Sequence, residues 1–114
     1  LVQRTLLAAQ PAEKDGISVK VLDLRTIMPF DWDAIADAVK QTNRLIIAHE
    51  DQLTCGFGAE LAARAASDLF EYLDAPVKRV HGVDVPLPYA ANLEKMALPQ
   101  SDTIAAAVRD VCNR

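Results

Sequence analysis

The sequence predicts an α/β domain with a mostly parallel sheet, and three observations carry that expectation. Arg44-Leu45-Ile46-Ile47-Ala48 is a short apolar run rich in β-branched residues, the pattern of a strand covered on both faces. It is followed by His49-Glu50-Asp51-Gln52-Leu53-Thr54-Cys55, then Gly56-Phe57-Gly58, then Leu61, Ala65, Leu69 and Leu73 at helical spacing. Strand, glycine turn and helix make half of a βαβ unit, and strand-like and helix-like stretches alternate elsewhere as well.

In chain order, Leu1 to about Gln10 reads as a helix with Val2, Leu6 and Ala9 apolar, ended or kinked by Pro11. Asp15-Gly16 is a turn. Ser18–Leu24 reads as a strand, with Val19, Val21, Leu22 and Leu24 dense enough for burial on both faces. Arg25–Phe30 is a loop, because Pro29 disfavours helix for itself and for Met28. Asp31 is an N-cap for a helix to about Thr42 that faces Ile35, Ala36 and either Ala38 or Val39 inward. Asn43 is its left-handed stop. The long helix is expected from about Phe57 to Leu73, ended by Ala75-Pro76. Val77–His81 is a third strand. Gly82–Pro99, marked by Pro86, Pro88 and Pro99, reads as irregular. Ser101 or Asp102 caps a last helix with an Ile104, Val108, Val111 stripe.

Composition bounds the function. With 114 residues, 51% of them hydrophobic and 25% charged, the chain is one globular domain, 1–114, with enough material for a core. A net charge of −4 without a basic stripe argues against nucleic acid. No apolar run approaches the ~18–20 residues that span a bilayer, so no membrane is expected as a partner. No basic region followed by a long apolar stretch marks a signal peptide. Cys55 and Cys112 make neither a disulfide framework nor a metal site and are read as reduced thiols of a cytoplasmic protein. The chain begins in helical pattern without an initiator methionine or an N-cap, so it is expected to be a fragment of a longer protein.

Candidate sites are few. His49 and Glu50 should lie at the carboxyl end of a buried strand, where open α/β sheets hold their ligands. They read either as a polar pair facing a cofactor or subunit, or as a capped turn with His49 bonded to a backbone carbonyl and Glu50 near a helix N-terminus. Gly56 and Gly58 precede a helix N-terminus, which attracts anions. However, no Gly-x-Gly-x-x-Gly or Gly-Lys-Ser/Thr is present, and Glu60 opposes phosphate. Cys55 at that terminus has no third group to make it a nucleophile. Met28, Phe30 and Trp32 read as packing across a loop. Glu71-Tyr72-Leu73-Asp74 is an acidic, aromatic helix end. Val83, Val85, Leu87, Tyr89, Leu93, Met96 and Leu98 put apolar side chains in an irregular stretch, the density of an intersubunit surface or a sheet cover. No acid, base and nucleophile converge, so no catalytic, cofactor-binding or metal residue is assigned.

Four segments, in order, resemble one family. They are Val21-Leu22-Asp23-Leu24-Arg25-Thr26-Ile27-Met28-Pro29-Phe30-Asp31; His49-Glu50 with Gly56-Phe57-Gly58-Ala59-Glu60; Asp74-Ala75-Pro76-Val77-Lys78-Arg79-Val80; and Asp84-Val85-Pro86-Leu87-Pro88-Tyr89-Ala90 with Leu93-Glu94-Lys95 and Leu98-Pro99. They resemble the transketolase C-terminal domain, as in the beta subunit of the thiamine-diphosphate-dependent decarboxylase component of 2-oxo acid dehydrogenase complexes, or the beta part of an alpha–beta fusion. His49-Glu50 is closer to the branched-chain members. Cys55 stands where the family usually has glycine.

The resemblance implies a three-layer α/β/α fold with a five-stranded mixed sheet whose first two strands precede Leu1. It implies thiamine diphosphate and magnesium in the parent enzyme, held by domains outside this chain and not by this domain. Alone, the domain would be inactive. The implied partners are the alpha subunit or alpha part, a second copy of the beta part, and the dihydrolipoyl acyltransferase core. Glu71 and Asp74, together with Val85, Leu87 and Tyr89, are the expected partner-binding residues. The acidic pair would meet a basic subunit-binding domain by charge complementarity. The competing expectation is a free-standing α/β interaction or nucleotide-binding module of the same fold.

Overall fold

The computed structural model describes residues 1–113. It contains α1 (Val2–Lys14), α2 (Trp32–Thr42), β1 (Ile46–Gln52), α3 (Phe57–Asp68), a 3-10 turn (Phe70–Tyr72), β2 (Lys78–Gly82), α4 (Ala91–Ala97) and α5 (Ser101–Cys112). β1 and β2 are parallel, with Ile46, Ile47 and Ala48 registered against Lys78, Arg79 and Val80. A shift between Ala48 and Gln52 brings Gln52 opposite Gly82.

Both faces of this pair are covered. On one, Ile47 and Val77 pack with Ile35, Ala36 and Val39 of α2 and with Leu61, Ala65 and Leu69. On the other, Ile46, Ala48 and Val80 meet Ala8 of α1 and Ile104, Ala105 and Ala107 of α5. The alternation of side chains along a strand thus sends Ile46 and Ile47 to opposite layers. Neither position can be polar, which is why the run reads as continuously apolar. The layering is α/β/α, as expected.

Local chemistry accounts for most element ends. Asp31 caps α2 by accepting the Ala34 N–H at 3.0 Å. Asn43 ends α2 at φ 59°. Its side-chain amide donates to Tyr72 O at 2.9 Å, and its carbonyl accepts the Asp74 N–H at 2.8 Å. One residue therefore stops a helix and ties down the return of the chain into β2.

Several expectations are corrected. α1 runs through Pro11 to Lys14. The ring sits in the last turn, where only one helical bond is lost, and continuing the helix buries Ala12 four residues after Ala8. Ser18–Leu24 is not a strand. Ile17, Val19 and Val21 are half-buried while Ser18, Lys20 and Leu22 are exposed, so the segment alternates like a strand with one covered face. It has no ladder partner among the described residues, and Leu22 faces out. The sheet there has two strands, where three were counted and five were implied. β1 starts at Ile46 and runs past His49 to Gln52, and α3 stops at Asp68, with buried Leu69 turning into the 3-10 segment. α4 interrupts the stretch expected to be irregular. Ser101 and Asp102 do not cap α5. Gln100 precedes it and turns its amide back onto Lys95 O and Leu98 O, both at 2.9 Å.

Ile104 is 2% exposed between α5, α1 and the sheet. Ile104→Ala should lower stability in urea unfolding by about 2–5 kcal/mol, the range for truncating a packed core isoleucine.

Candidate functional site

Parallel strands deliver the loops that follow them to the same end of the sheet. After β1 comes Leu53–Gly56 and after β2 comes Val83–Ala90. Thr54 joins the two loops: its N–H donates to Asp84 Oδ1 at 3.0 Å and its hydroxyl to Oδ2 at 2.6 Å. Both bonds favour the ionised form, so the Asp84 carboxyl lies below its usual range, led by the hydroxyl bond. Gln52 Nε2 donates to Val85 O at 3.0 Å, and Arg79 donates to Leu53 O at 2.9 Å. Between these clips lies a crevice of about 250 Å³, walled by Glu50, Gln52, Val83, Val85, Leu87 and Leu98. It occupies the position where α/β sheets hold ligands.

The His49-Glu50-Asp51 run divides its labour differently from the sequence expectation. His49 makes no carbonyl bond. Both ring nitrogens are buried without a partner, and the imidazole lies against the Cα of Gly58, where any Cβ would collide with it. Burial pushes the His49 pKa below its ordinary value. Asp51 opposes the shift, while His81 and Arg79 add to it. Glu50 caps no helix. Its carboxylate stands 3.7 Å from Arg4 of α1, whose guanidinium also donates to Pro99 O at 2.9 Å. The cap of α3 is Asp51, which accepts the Phe57 N–H at 3.1 Å and its neighbour Gln52 N–H at 2.9 Å. These bonds hold its carboxyl below the usual range. Gly56 precedes the helix in close approach to the Gln52 carbonyl, again without room for a side chain.

A carboxylate already sits on the α3 N-terminus, so a phosphate or diphosphate there would meet charge repulsion. No three of His, Cys, Asp and Glu gather into a metal holder among the described residues. Among the described residues, the side chains at the α3 N-terminus do not fit the diphosphate of thiamine diphosphate or a magnesium ion.

The expected partner-binding residues fall into two places. Val85, Leu87 and Tyr89 lie on the carboxyl-end loop, with Tyr89 fully exposed and Leu87, Leu93 and Met96 largely so. Glu71 and Asp74 lie at the opposite end of the sheet, just before β2. Asp74 is 3.9 Å from Arg44, so its charge is partly matched. The structure does not bring the two sets together. Met28 is exposed, while Phe30 packs edge-on against Trp32 and Phe57, centroids 6.3 and 5.6 Å apart, and Arg64 stacks 4.1 Å over Trp32. Sequence reasoning missed the Thr54–Asp84 and Gln52–Val85 clips, because nothing local links residues about thirty positions apart.

The family model described as "Transketolase, C-terminal domain" matches residues 1–104. The chain belongs to this family. It is 48% identical over 111 residues to the pyruvate dehydrogenase E1 component subunit beta of Rickettsia felis, covering 97% of this chain and 34% of that protein. It is 47% identical over 114 residues to the mitochondrial pyruvate dehydrogenase E1 component subunit beta-1 of Oryza sativa, covering all of this chain and 30% of that one. The chain thus spans about a third of these relatives. Among solved structures it resembles an inactive beta4 tetramer of a split-gene transketolase, with TM-score 0.75 and 24% identity over 98% of this chain and 35% of that one. That likeness concerns the fold. The relatives bear the pyruvate name, so the branched-chain preference drawn from His49-Glu50 finds no support. Both residues have structural work here.

Two outcomes follow. The stability contributed by neutral His49 is fully present above about pH 6.5, the ordinary His value, and is lost as pH falls below it toward the depressed folded-state pKa. Urea unfolding of the wild type should therefore weaken from pH 7.5 to 5. His49→Gln should flatten that slope whatever its effect at pH 7.5, and His81→Gln, which removes only a secondary contribution beside burial, should lessen it without abolishing it. Cys55 holds a left-handed φ of 59°. Cys55→Gly should raise stability by roughly 0.5–1 kcal/mol in the same assay, since glycine carries no penalty in that region.

Proposed function

We propose that this chain is the C-terminal assembly and partner-binding domain of the decarboxylase component of a 2-oxo acid dehydrogenase complex, in its beta subunit or the beta part of an alpha–beta fusion. The parent enzyme oxidatively decarboxylates a 2-oxo acid and acylates lipoyl-lysine, with thiamine diphosphate and magnesium supplying the chemistry from outside this domain. Pyruvate is the substrate the names of the relatives favour. Among the described residues, neither Ser18–Leu24 nor the outer edge of β1 has a ladder partner, which suits strands supplied by upstream parts of that protein. Two free thiols suit a reducing compartment, in our reading the cytoplasm.

One observation carries the proposal: exposed apolar side chains at Val85, Leu87 and Tyr89 on a loop held by side-chain bonds, and at Leu93 and Met96 on α4, stand beside a crevice without a catalytic constellation. Such a surface binds protein. The alpha part is assigned to it, and the acidic end at Glu71 and Asp74 to the basic subunit-binding domain of the acyltransferase core.

Calorimetric titration tests both assignments. Glu71→Lys with Asp74→Lys should abolish binding of the acyltransferase's subunit-binding domain and leave the fold intact by circular dichroism. Leu87→Asp with Tyr89→Asp should weaken binding of the alpha part by tenfold or more. Wild-type affinity in both variant pairs would remove the proposal.

A further inference from the structure

On the loop after β2, Pro86 and Pro88 alternate with Val85 and Leu87. Each proline ring fixes its own φ near −65°. Each also drives the residue before it into extended backbone. Four consecutive residues are thereby confined to the polyproline II region, a left-handed helix with three residues per turn and no internal hydrogen bonds. In keeping with this, Pro86, Leu87 and Pro88 belong to no helix, strand or turn. Both ends of this rod are tied. At its start the Asp84 carboxylate accepts two bonds from Thr54, and Val85 O accepts one from Gln52. At its end Ala90 O accepts the Glu94 N–H at 2.9 Å, where α4 begins. A three-residue turn sorts the side chains into rows. Val85 and Pro88 share one row, and Pro86 and Tyr89 share another. The first row leans on the domain: Pro88 is half-buried, and Val85 lines the crevice together with Leu87. The second row points away from it, with Pro86 exposed and Tyr89 fully so.

We propose that the Pro86–Tyr89 row is a polyproline-type ligand, read by a groove lined with aromatic rings on the alpha part. The pyrrolidine ring of Pro86 and the phenol ring of Tyr89 enter neighbouring slots between those rings. This mode of recognition exploits a helix that is already formed before contact. The backbone of such a rod is turned to solvent, so the Leu87 carbonyl accepts a bond from an indole N–H or phenol O–H of the groove. The Asp84 carboxylate stands at the start of the rod and matches a basic residue at the groove's rim. A flat apolar patch would be served by any apolar side chains on a slack loop. Alternating prolines between two tied ends serve a fixed shape, and fixing the shape beforehand lowers the entropy lost on binding. The inference deepens the assembly reading, on which it rests for the identity of the partner. What it adds is the chemistry by which this loop is recognised.

Calorimetric titration of the chain with the alpha part tests it, using variants that keep apolar area and change shape. Pro86→Leu adds apolar surface, yet it frees φ and removes the flat ring, so it should weaken binding tenfold or more. Tyr89→Leu should do the same. Because Tyr89 is fully exposed, this second variant leaves the fold untouched and decides the matter if Pro86→Leu melts early. Tyr89→Phe keeps the ring and should bind like the wild type. Circular dichroism and melting unchanged from the wild type place each loss at the contact. Wild-type affinity in Tyr89→Leu, with binding still lost in the Leu87→Asp, Tyr89→Asp pair, would overturn the polyproline mode and leave the assembly reading standing. Wild-type affinity in that pair as well would overturn the assignment of the alpha part to this loop and the polyproline mode with it.

Discussion

The parallel ladder between β1 and β2 is the constraint on which the rest depends. A parallel pair has two apolar faces and is stable only when both are covered. That requirement places Ile47 and Val77 against α2 and α3, and Ile46, Ala48 and Val80 against α1 and α5. It also fixes polarity. Because both strands run the same way, the loops after them meet at one end, and only there can Thr54 reach Asp84 and Gln52 reach Val85. The crevice, the buried imidazole and the apolar loop are products of that meeting.

What was legible in the sequence was local. Asp31 and Asn43 mark the ends of α2 because capping and left-handed stops depend on a few adjacent residues. The apolar run at Arg44–Ala48 and the helical spacing after Phe57 set the fold class by the same logic. The misreadings concern choices made by distant neighbours. Ser18–Leu24 has strand composition, yet a ladder needs a second chain segment beside it, and composition holds no information on that. Pro11 stays inside α1 because burial of Ala12 outweighs one missing bond. α4 is seven residues long and flanked by prolines, too short for periodicity to show.

At the site, position was legible and role was not. The carboxyl end of β1 does carry the polar turn. Which of three consecutive polar residues caps α3 depends on how the strand end twists, and the answer is Asp51, not Glu50. His49 is held by shape against Gly58, and glycine at that position has its reason in the imidazole. Both residues that hinted at a substrate class are therefore occupied with packing and an ion pair. Family membership was legible from four ordered segments because each answers a structural need: the loop before α2, the α3 turn, the entry into β2 and the path over the sheet end.

The acidic end and the apolar end lie on opposite sides of the short sheet. Five residues of β2 separate them, a span of ~16 Å at the usual rise. That is about twice the Debye length of ~8 Å at physiological ionic strength. Charge at one end is consequently screened from the other, and contacts at the two ends should respond to different solvents. Under the proposed assignment of partners, added salt would loosen the acidic contact and spare the apolar one, whereas cooling would weaken the apolar contact first. The domain would then act as an insulating spacer whose two ends respond independently.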